Sequence, residues 1–306
     1  MTHSVSIFLK GLAMGAANVI PGVSGGTIAL ITGIYERLIN AIKSFDHNAL
    51  KLLFNRQWRT LWSTIDGSFL STLFAGIAVS IVSLAKILEY LLAHHNQLTM
   101  AFFFGLILVS VYFVGKTVHQ WSISTWLMLL LGTAVAIGIA LLAPASENTA
   151  PYYVFICGIV AICSMILPGL SGSFVLILMG NYALILTAIG TANLQILVPL
   201  ALGCAFGMIL FSHLLAWIFK HYHDQTIALM TGFITGSLAV IWPWKKTLTE
   251  LLTREGKPPR ELVTGYEWYL PSFSSSTTWL SLLLIVAGGL MLFSMEKFSR
   301  RDENQK

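Results

Sequence analysis

Two short stretches hold the groups best suited to binding an anion. Residues 21–27 read PGVSGGT and residues 168–174 read PGLSGSF. Each leads at once into an apolar run long enough for a helix. The first N–H groups of a helix lack intrahelical partners, and that end carries partial positive charge. Gly22, Gly25, Gly26, Gly169 and Gly172 let the backbone come close to a ligand, while Ser24, Thr27, Ser171 and Ser173 add hydroxyl donors. Two such tips facing one cavity would form a preformed anion site, and phosphate suits it. The plainer alternative is a helix-breaking turn in which the glycines serve close packing and Ser24 and Ser171 are N-caps.

Ionisable residues within apolar stretches are the next pointer. Lys86 falls near the outer end of the first expected span, and His213 occupies the equivalent place, 127 residues on, in the fourth. Both could receive an anionic head group. Lys86 could equally snorkel to the interface beside Glu89, and His213 could be a neutral packing residue. Glu36 and Arg37 close the first broken region, some ~18 Å from the tip if one helix runs between. They read as an interfacial ion pair, with a gate or coupling-ion site as the alternative. Gly203-x-x-x-Gly207 and Gly232-x-x-x-Gly236 read as close helix crossings, and Phe102, Phe103 and Phe104 as packing or lipid-facing residues.

Other chemistries are missing. No GxxxxGK[ST] loop is present, so no ATP-driven pump is indicated. HExxH and Cys/His ligand spacings are absent, and no metal or cofactor is expected. Cys157, Cys163 and Cys204 lie in apolar runs with no framework spacing. Neither tip has a nearby His or Arg to serve as acid, nucleophile or phosphate clamp for hydrolysis, so no enzyme is expected.

The elements that carry these residues belong to a membrane. The chain of 306 residues is 56% hydrophobic and 10% charged, where a soluble domain has about 25% charged residues. Mean hydropathy is +0.77. This excludes a cytosolic enzyme and points to an all-α polytopic membrane protein. The net charge of +5 then suits anionic lipid better than nucleic acid. Six stretches approach the ~20 apolar residues that cross a bilayer: 68–92, 98–115, 124–143, 196–219, 226–243 and 277–295. Regions 5–42 and 151–189 are apolar but broken by Pro-Gly-x-Ser-Gly, and each reads as a re-entrant hairpin of two short helices. With the N-terminus inside and hairpins making no net crossing, twelve of the eighteen Lys and Arg fall on the cytoplasmic side, as the positive-inside bias requires. Both termini are then cytoplasmic, and residues 244–276 form one long outer loop.

The chain also repeats itself. IPGVSGGTIALITGIYERLINAI (20–42) aligns with LPGLSGSFVLILMGNYALILTAI (167–189) at a constant offset of 147. HHNQLTMAFFFGLILVS (94–110) aligns with HYHDQTIALMTGFITGS (221–237) at an offset of 127. Residues 1–147 and 148–306 are thus two repeats, each a hairpin plus three spans. An odd number of crossings puts the second upside down, the plan of many secondary transporters, with the site between broken helices near the midplane.

The doubled PG[VL]SG tips, the FFFGLILVS block and GSLAVIWPWK (236–245) resemble the PopT-type undecaprenyl-phosphate translocase family of bacterial inner-membrane proteins. The resemblance runs from Lys10 to about Lys245. It implies movement of a polyprenyl-phosphate carrier from the outer to the cytoplasmic leaflet for reuse in cell-wall synthesis, with the tips as the phosphate site. It is compatible with proton or sodium coupling and with a homo-oligomer. Two alternatives stand beside it: a polyprenyl-diphosphate phosphatase, whose similar tips carry Glu, His and Arg that are missing here, and a carrier or channel for a small soluble anion.

Overall fold

The first apolar run breaks where its proline and glycines fall. A computed structural model of the chain describes residues 2–19, 24–142, 144–254 and 257–303. Gly22 and the Lys86 and Glu89 side chains lie outside the described residues. Helix α1 (Thr2–Val19) ends just before Pro21, since a residue preceding proline is steered out of helical geometry. Helix α2 (Gly25–Ile31) starts after Ser24, whose side chain accepts from the Gly26 amide at 3.1 Å. It runs only seven residues, because Gly33 turns to φ +71°, the left-handed conformation that ends helices. Helix α3 (Tyr35–Lys43) follows, amphipathic, with Tyr35, Ile39 and Ala41 buried.

The remaining elements follow in order. Helices α4 (His47–Phe54) and α5 (Trp58–Thr64) lead into α6 (Gly67–His94), α7 (Asn96–Gly115) and α8 (Ile123–Ala140). The second half contains α9 (Pro151–Ile166), α10 (Gly172–Leu178), α11 (Tyr182–Gly190), α12 (Leu194–His221) and α13 (His223–Val240). Strands β1 (Lys245–Arg254) and β2 (Lys257–Trp268) precede α14 (Ser276–Glu303).

The offsets found in the sequence recur in these boundaries. Helices α10 and α11 begin and end 147 residues after α2 and α3, and α12 matches α6 at 127, both 28 residues long. Gly180, the counterpart of Gly33, has φ +74°, and α10 and α11 meet at 112°. The return arm of each hairpin is therefore two short helices, not the single arm expected from an unbroken apolar run. The rise that placed Glu36 and Arg37 ~18 Å from the tip does not accumulate through Gly33.

Side chains close both breaks in different ways. Lys10 Nζ donates to the Thr32 carbonyl at 2.7 Å, and the Tyr153 hydroxyl donates to the equivalent Met179 carbonyl at 3.0 Å. Each satisfies a carbonyl at a helix end that would otherwise stay unpaired in an apolar setting.

Packing interleaves the halves. Helix α1 lies on α6, and α9 on α12, whereas α8 packs on α13 and α14 on α7. Each third span thus packs on the second span of the other half. The expected glycine crossings form: a Cβ at Gly203 would strike the Phe155 carbonyl of α9, and one at Gly232 the Leu129 carbonyl of α8. Phe102, Phe103 and Phe104 pack against the main core, as expected.

Five described helices, α6, α7, α8, α12 and α14, are long and apolar enough to cross a membrane. The chain is a multi-pass helical membrane protein. The span expected at 226–243 forms α13, but it is more polar. Its buried residues include Thr226, Thr231 and Ser237, whose hydroxyls bond back to carbonyls of the preceding turn. A second departure is the antiparallel β1–β2 ribbon, paired from Lys245↔Trp268 to Arg254↔Lys257. The outer segment expected as a loop holds these strands, so the chain is not wholly α. The stretch KKTLTELLT carries three threonines, which favour strands, but its polar and apolar residues do not alternate, so the strand pattern is missing from the sequence.

Arg37 reaches Asp66 by two bonds, 2.7 and 3.1 Å, and lies 4.3 Å over the Phe69 ring. Both side chains are over a third exposed. Asp66 sits at φ 50°, which asparagine also tolerates. Asp66→Asn should therefore cost no more than about 1 kcal/mol, read as a drop of a few degrees or less in the unfolding midpoint in detergent. A larger loss would make the pair a structural mainstay.

Candidate functional site

The two tips meet. Asn18 Oδ1 accepts from the Gly25 amide at 2.7 Å, Ser24 Oγ from Gly26, and the Ser24 carbonyl from the Thr27 amide at 3.0 Å. The Ser24 hydroxyl lies 3.3 Å from both the Met165 and Leu167 carbonyls of the second tip. Thr27, fully buried, accepts from the Gly169 amide at 2.9 Å. The Tyr35 hydroxyl donates to the Ile166 carbonyl at 3.0 Å. The contacts to the second tip span more than 130 residues of sequence.

The second tip is built differently. Gly169 has φ +82°, and a Cβ there would come 2.5–2.6 Å from the Phe233 and Ile234 backbone at the middle of α13. Ser171 makes no capping bond; its Oγ lies 2.9 Å from Ser173 Oγ. Among the described residues, the Gly172, Ser173 and Phe174 amides have no partner. The first three amides of α2 are satisfied internally, so the two tips offer unequal capacity for an anion.

The charged candidates separate. Arg37 pairs with Asp66, not with its neighbour Glu36. Glu36 Oε1 lies 3.2 Å from His223 Nε2. His213 Nδ1 lies 2.8 Å from the Ile209 carbonyl of its own helix. The Ala49 and Asn48 amides hold the Asp46 carboxyl below its ordinary range. None of the described contacts of Glu36, Arg37 or His213 reaches a tip. The Lys86 side chain lies outside the described residues.

The sequence reading missed a cluster around Asp224. His119 Nδ1 lies 2.9 Å and His223 Nδ1 3.3 Å from Asp224 Oδ1, and the His119 and Gln120 amides donate to its two oxygens at 3.1 and 3.0 Å. The His119 side chain foremost, with these amides, holds the Asp224 carboxyl well below the usual carboxylate range. The donor atoms of His119, His223 and Asp224 lie within 4.8 Å of one another, a set that could hold a divalent ion, beside a cavity of about 370 Å³. The available signal was an acid in the first turn of a span, in HYHDQ. At the other end of α13, an apolar cavity of about 540 Å³ is lined by Phe104, Ile137, Leu238, Trp242, Trp268 and Leu270, among others.

The chain matches known proteins over most of its length. Residues 14–258 match the family model described as VCA0040-like, undecaprenyl phosphate translocase-like. A polyprenyl-phosphate transporter of Vibrio cholerae is 41% identical over 300 residues, covering 97% of each chain. A polyprenyl-phosphate transporter of Staphylococcus aureus is 34% identical over 253 residues, covering 77% of this chain and 85% of that one. No solved structure matches. The chain belongs to the undecaprenyl phosphate translocase-like family.

Proposed function

We propose that this protein moves a polyprenyl phosphate from the outer to the cytoplasmic leaflet of a bacterial inner membrane, returning the carrier for cell-wall synthesis. The observation that carries this is the 41% identity, over 97% of both chains, to a protein named for polyprenyl-phosphate transport. Residues 1–147 and 148–306 act as two inverted halves, with both termini cytoplasmic. The second tip takes the head group, through the Gly172, Ser173 and Phe174 amides and the Ser171 and Ser173 hydroxyls. Ser24, Gly25, Gly26, Thr27 and Gly169 form the brace it works against. Lys86 and His213 are accessory head-group residues toward opposite faces. The apolar cavity beside Trp242 suits an isoprenoid tail, whose burial releases about 25 cal/mol per Å². Desolvating the phosphate is the costly step, and charge-assisted bonds from the tip offset it.

The test is uptake of polyprenyl phosphate by vesicles containing the purified protein, with inorganic phosphate and the phosphate-free polyprenol as competitors. Competition by the lipid phosphate alone is expected. Transport of inorganic phosphate would replace this reading with a soluble-anion carrier. The halves are tested separately with single cysteines: Asn55→Cys should label from the cytoplasmic side and Lys246→Cys from the outside. Labelling of both from one side overturns the inversion.

A further inference from the structure

Three segments remote in sequence converge where α13 begins: Glu36 from α3, His119 from the α7–α8 connection, and His223 with Asp224. Asp224 Oδ1 lies 2.9 Å from His119 Nδ1 and 3.3 Å from His223 Nδ1, and the three side chains can each turn one ligand atom to within 4.8 Å of the others. Zinc holds imidazole nitrogen and carboxylate oxygen at about 2.0–2.2 Å, so two ligands of a tetrahedral ion stand roughly 3.3 Å apart. The His223–Asp224 edge already has that length. The His119 ring, 74% exposed, has only to draw back slightly.

The hydrogen bonds around these atoms are those of a supported ligand set. A metal-binding histidine offers the lone pair of one ring nitrogen and donates its other N–H to a carboxylate or carbonyl, which fixes the tautomer. His223 has both partners in place: Nε2 lies 3.2 Å from Glu36 Oε1, while Nδ1 faces Asp224. A neutral imidazole has one N–H and a carboxylate only accepts. With that N–H given to Glu36, Nδ1 turns its lone pair toward the Asp224 oxygen, an arrangement that a cation between them makes favourable. Asp224 is itself held from behind, by the His119 and Gln120 amides at 3.1 and 3.0 Å.

We infer that His119, His223 and Asp224 form a divalent metal site of the zinc type, with Glu36 as the outer partner that orients His223. Two imidazoles and one carboxylate suit zinc, whereas magnesium and calcium favour shells of oxygen alone. Three protein ligands leave a fourth position for water. A cavity of about 370 Å³, lined by the three ligands together with Ser122, Thr125 and Gln225, gives it room. The bound ion ties the α7–α8 connection to the start of α13 and, through Glu36, to the first hairpin. The other half holds no second copy: the repeat equivalents of Glu36, His223 and Asp224 are Ala183, Asn96 and Gln97. One ion per chain is therefore expected. This inference uses neither the cargo nor the direction of transport.

The experiment uses the whole chain without a histidine tag, purified in detergent and stripped with chelator. Zinc is titrated against a chromophoric chelator, and cobalt is added separately to read the absorption of a tetrahedral site. One zinc per chain should bind at micromolar concentration, and saturating zinc should raise the unfolding midpoint. His119→Ala and His223→Ala should each abolish stoichiometric binding and the rise in midpoint. Glu36→Gln should weaken binding about 10- to 100-fold, as loss of an outer partner does. His221→Ala, which removes a histidine bonded only to its own helix, should bind as the parent does. His119 is exposed enough that its alanine variant should fold normally, so the test stands even if His223→Ala is poorly stable. Absence of stoichiometric zinc binding in the parent overturns the site and leaves a cluster held by hydrogen bonds alone. Parent-like affinity in His119→Ala also overturns it, as does equal binding of magnesium or calcium.

Discussion

Gly169→Ala should leave little folded protein. At φ +82° an alanine carries a backbone penalty of roughly 1–2 kcal/mol. Its Cβ would also lie 2.5–2.6 Å from the Phe233 carbonyl group and the Ile234 nitrogen. Those atoms belong to the middle of α13, which packs on α7 and α8, so no side chain can swing aside. Overpacking of this kind costs about 1–3 kcal/mol. The tip must then withdraw from α13, and the Gly169 amide leaves Thr27, a buried hydroxyl. A total loss of about 2–5 kcal/mol follows, measured as yield of monodisperse protein and as the unfolding midpoint in detergent. Gly25→Ala is the comparison: its Cβ would come nearest the Asn18 side chain, at 2.8 Å, which can shift by giving up its bond to the Gly25 amide, so a smaller loss of about 1 kcal/mol is expected. Gly138→Ala, with nothing within 4 Å, should be neutral. Equal stability of Gly169→Ala and Gly138→Ala would mean that the tip is not pressed on α13.

What the sequence displayed, and what it hid, follows from the range of the forces involved. The tips were legible because Pro21 and Pro168 interrupt otherwise unbroken apolar runs, and because the constant offset of 147 tied them together. The 28-residue helices α6 and α12 were legible from hydropathy alone. The second break in each hairpin was not. Gly33 and Gly180 are single glycines within apolar text, and only their positive φ distinguishes them from glycines that pack helices, such as Gly203. The ribbon β1–β2 was hidden because polar and apolar residues along KKTLTELLT do not alternate. The Asp224 cluster was out of reach because His119 lies more than 100 residues before His223 and Asp224, so no spacing rule applies. The pairing of Arg37 with Asp66 instead of Glu36 was hidden likewise, since it depends on the path of α4 and α5, which bring the chain back to α3. The reading of two equivalent tips could not separate their roles. Ser24 and Ser171 occupy the same place in matching motifs, yet one caps a helix and the other does not.

That inequality gives the sharpest test of the head-group site. In the first tip Ser24 Oγ is engaged with Gly26 and faces the Met165 and Leu167 carbonyls. Ser24→Ala should therefore act on stability, by about 1 kcal/mol for a lost N-cap. In the second tip the Ser171 and Ser173 hydroxyls bond only to each other, 2.9 Å apart, so one hydroxyl hydrogen is free for an anion and the other can turn toward it. Hydrogen bonds to a charged group contribute about 1.5–3 kcal/mol each. Removing both by Ser171→Ala with Ser173→Ala should weaken binding of a polyprenyl phosphate roughly 100-fold or more, at about 1.4 kcal/mol per tenfold. Binding of the phosphate-free polyprenol should hardly change, because its tail contacts lie elsewhere. The measurement is titration of both lipids into the purified protein, parent and variants, with the unfolding midpoint taken in parallel. If Ser24→Ala loses affinity for the phosphate while the double variant keeps it, the head group sits at the first tip and the second is the brace.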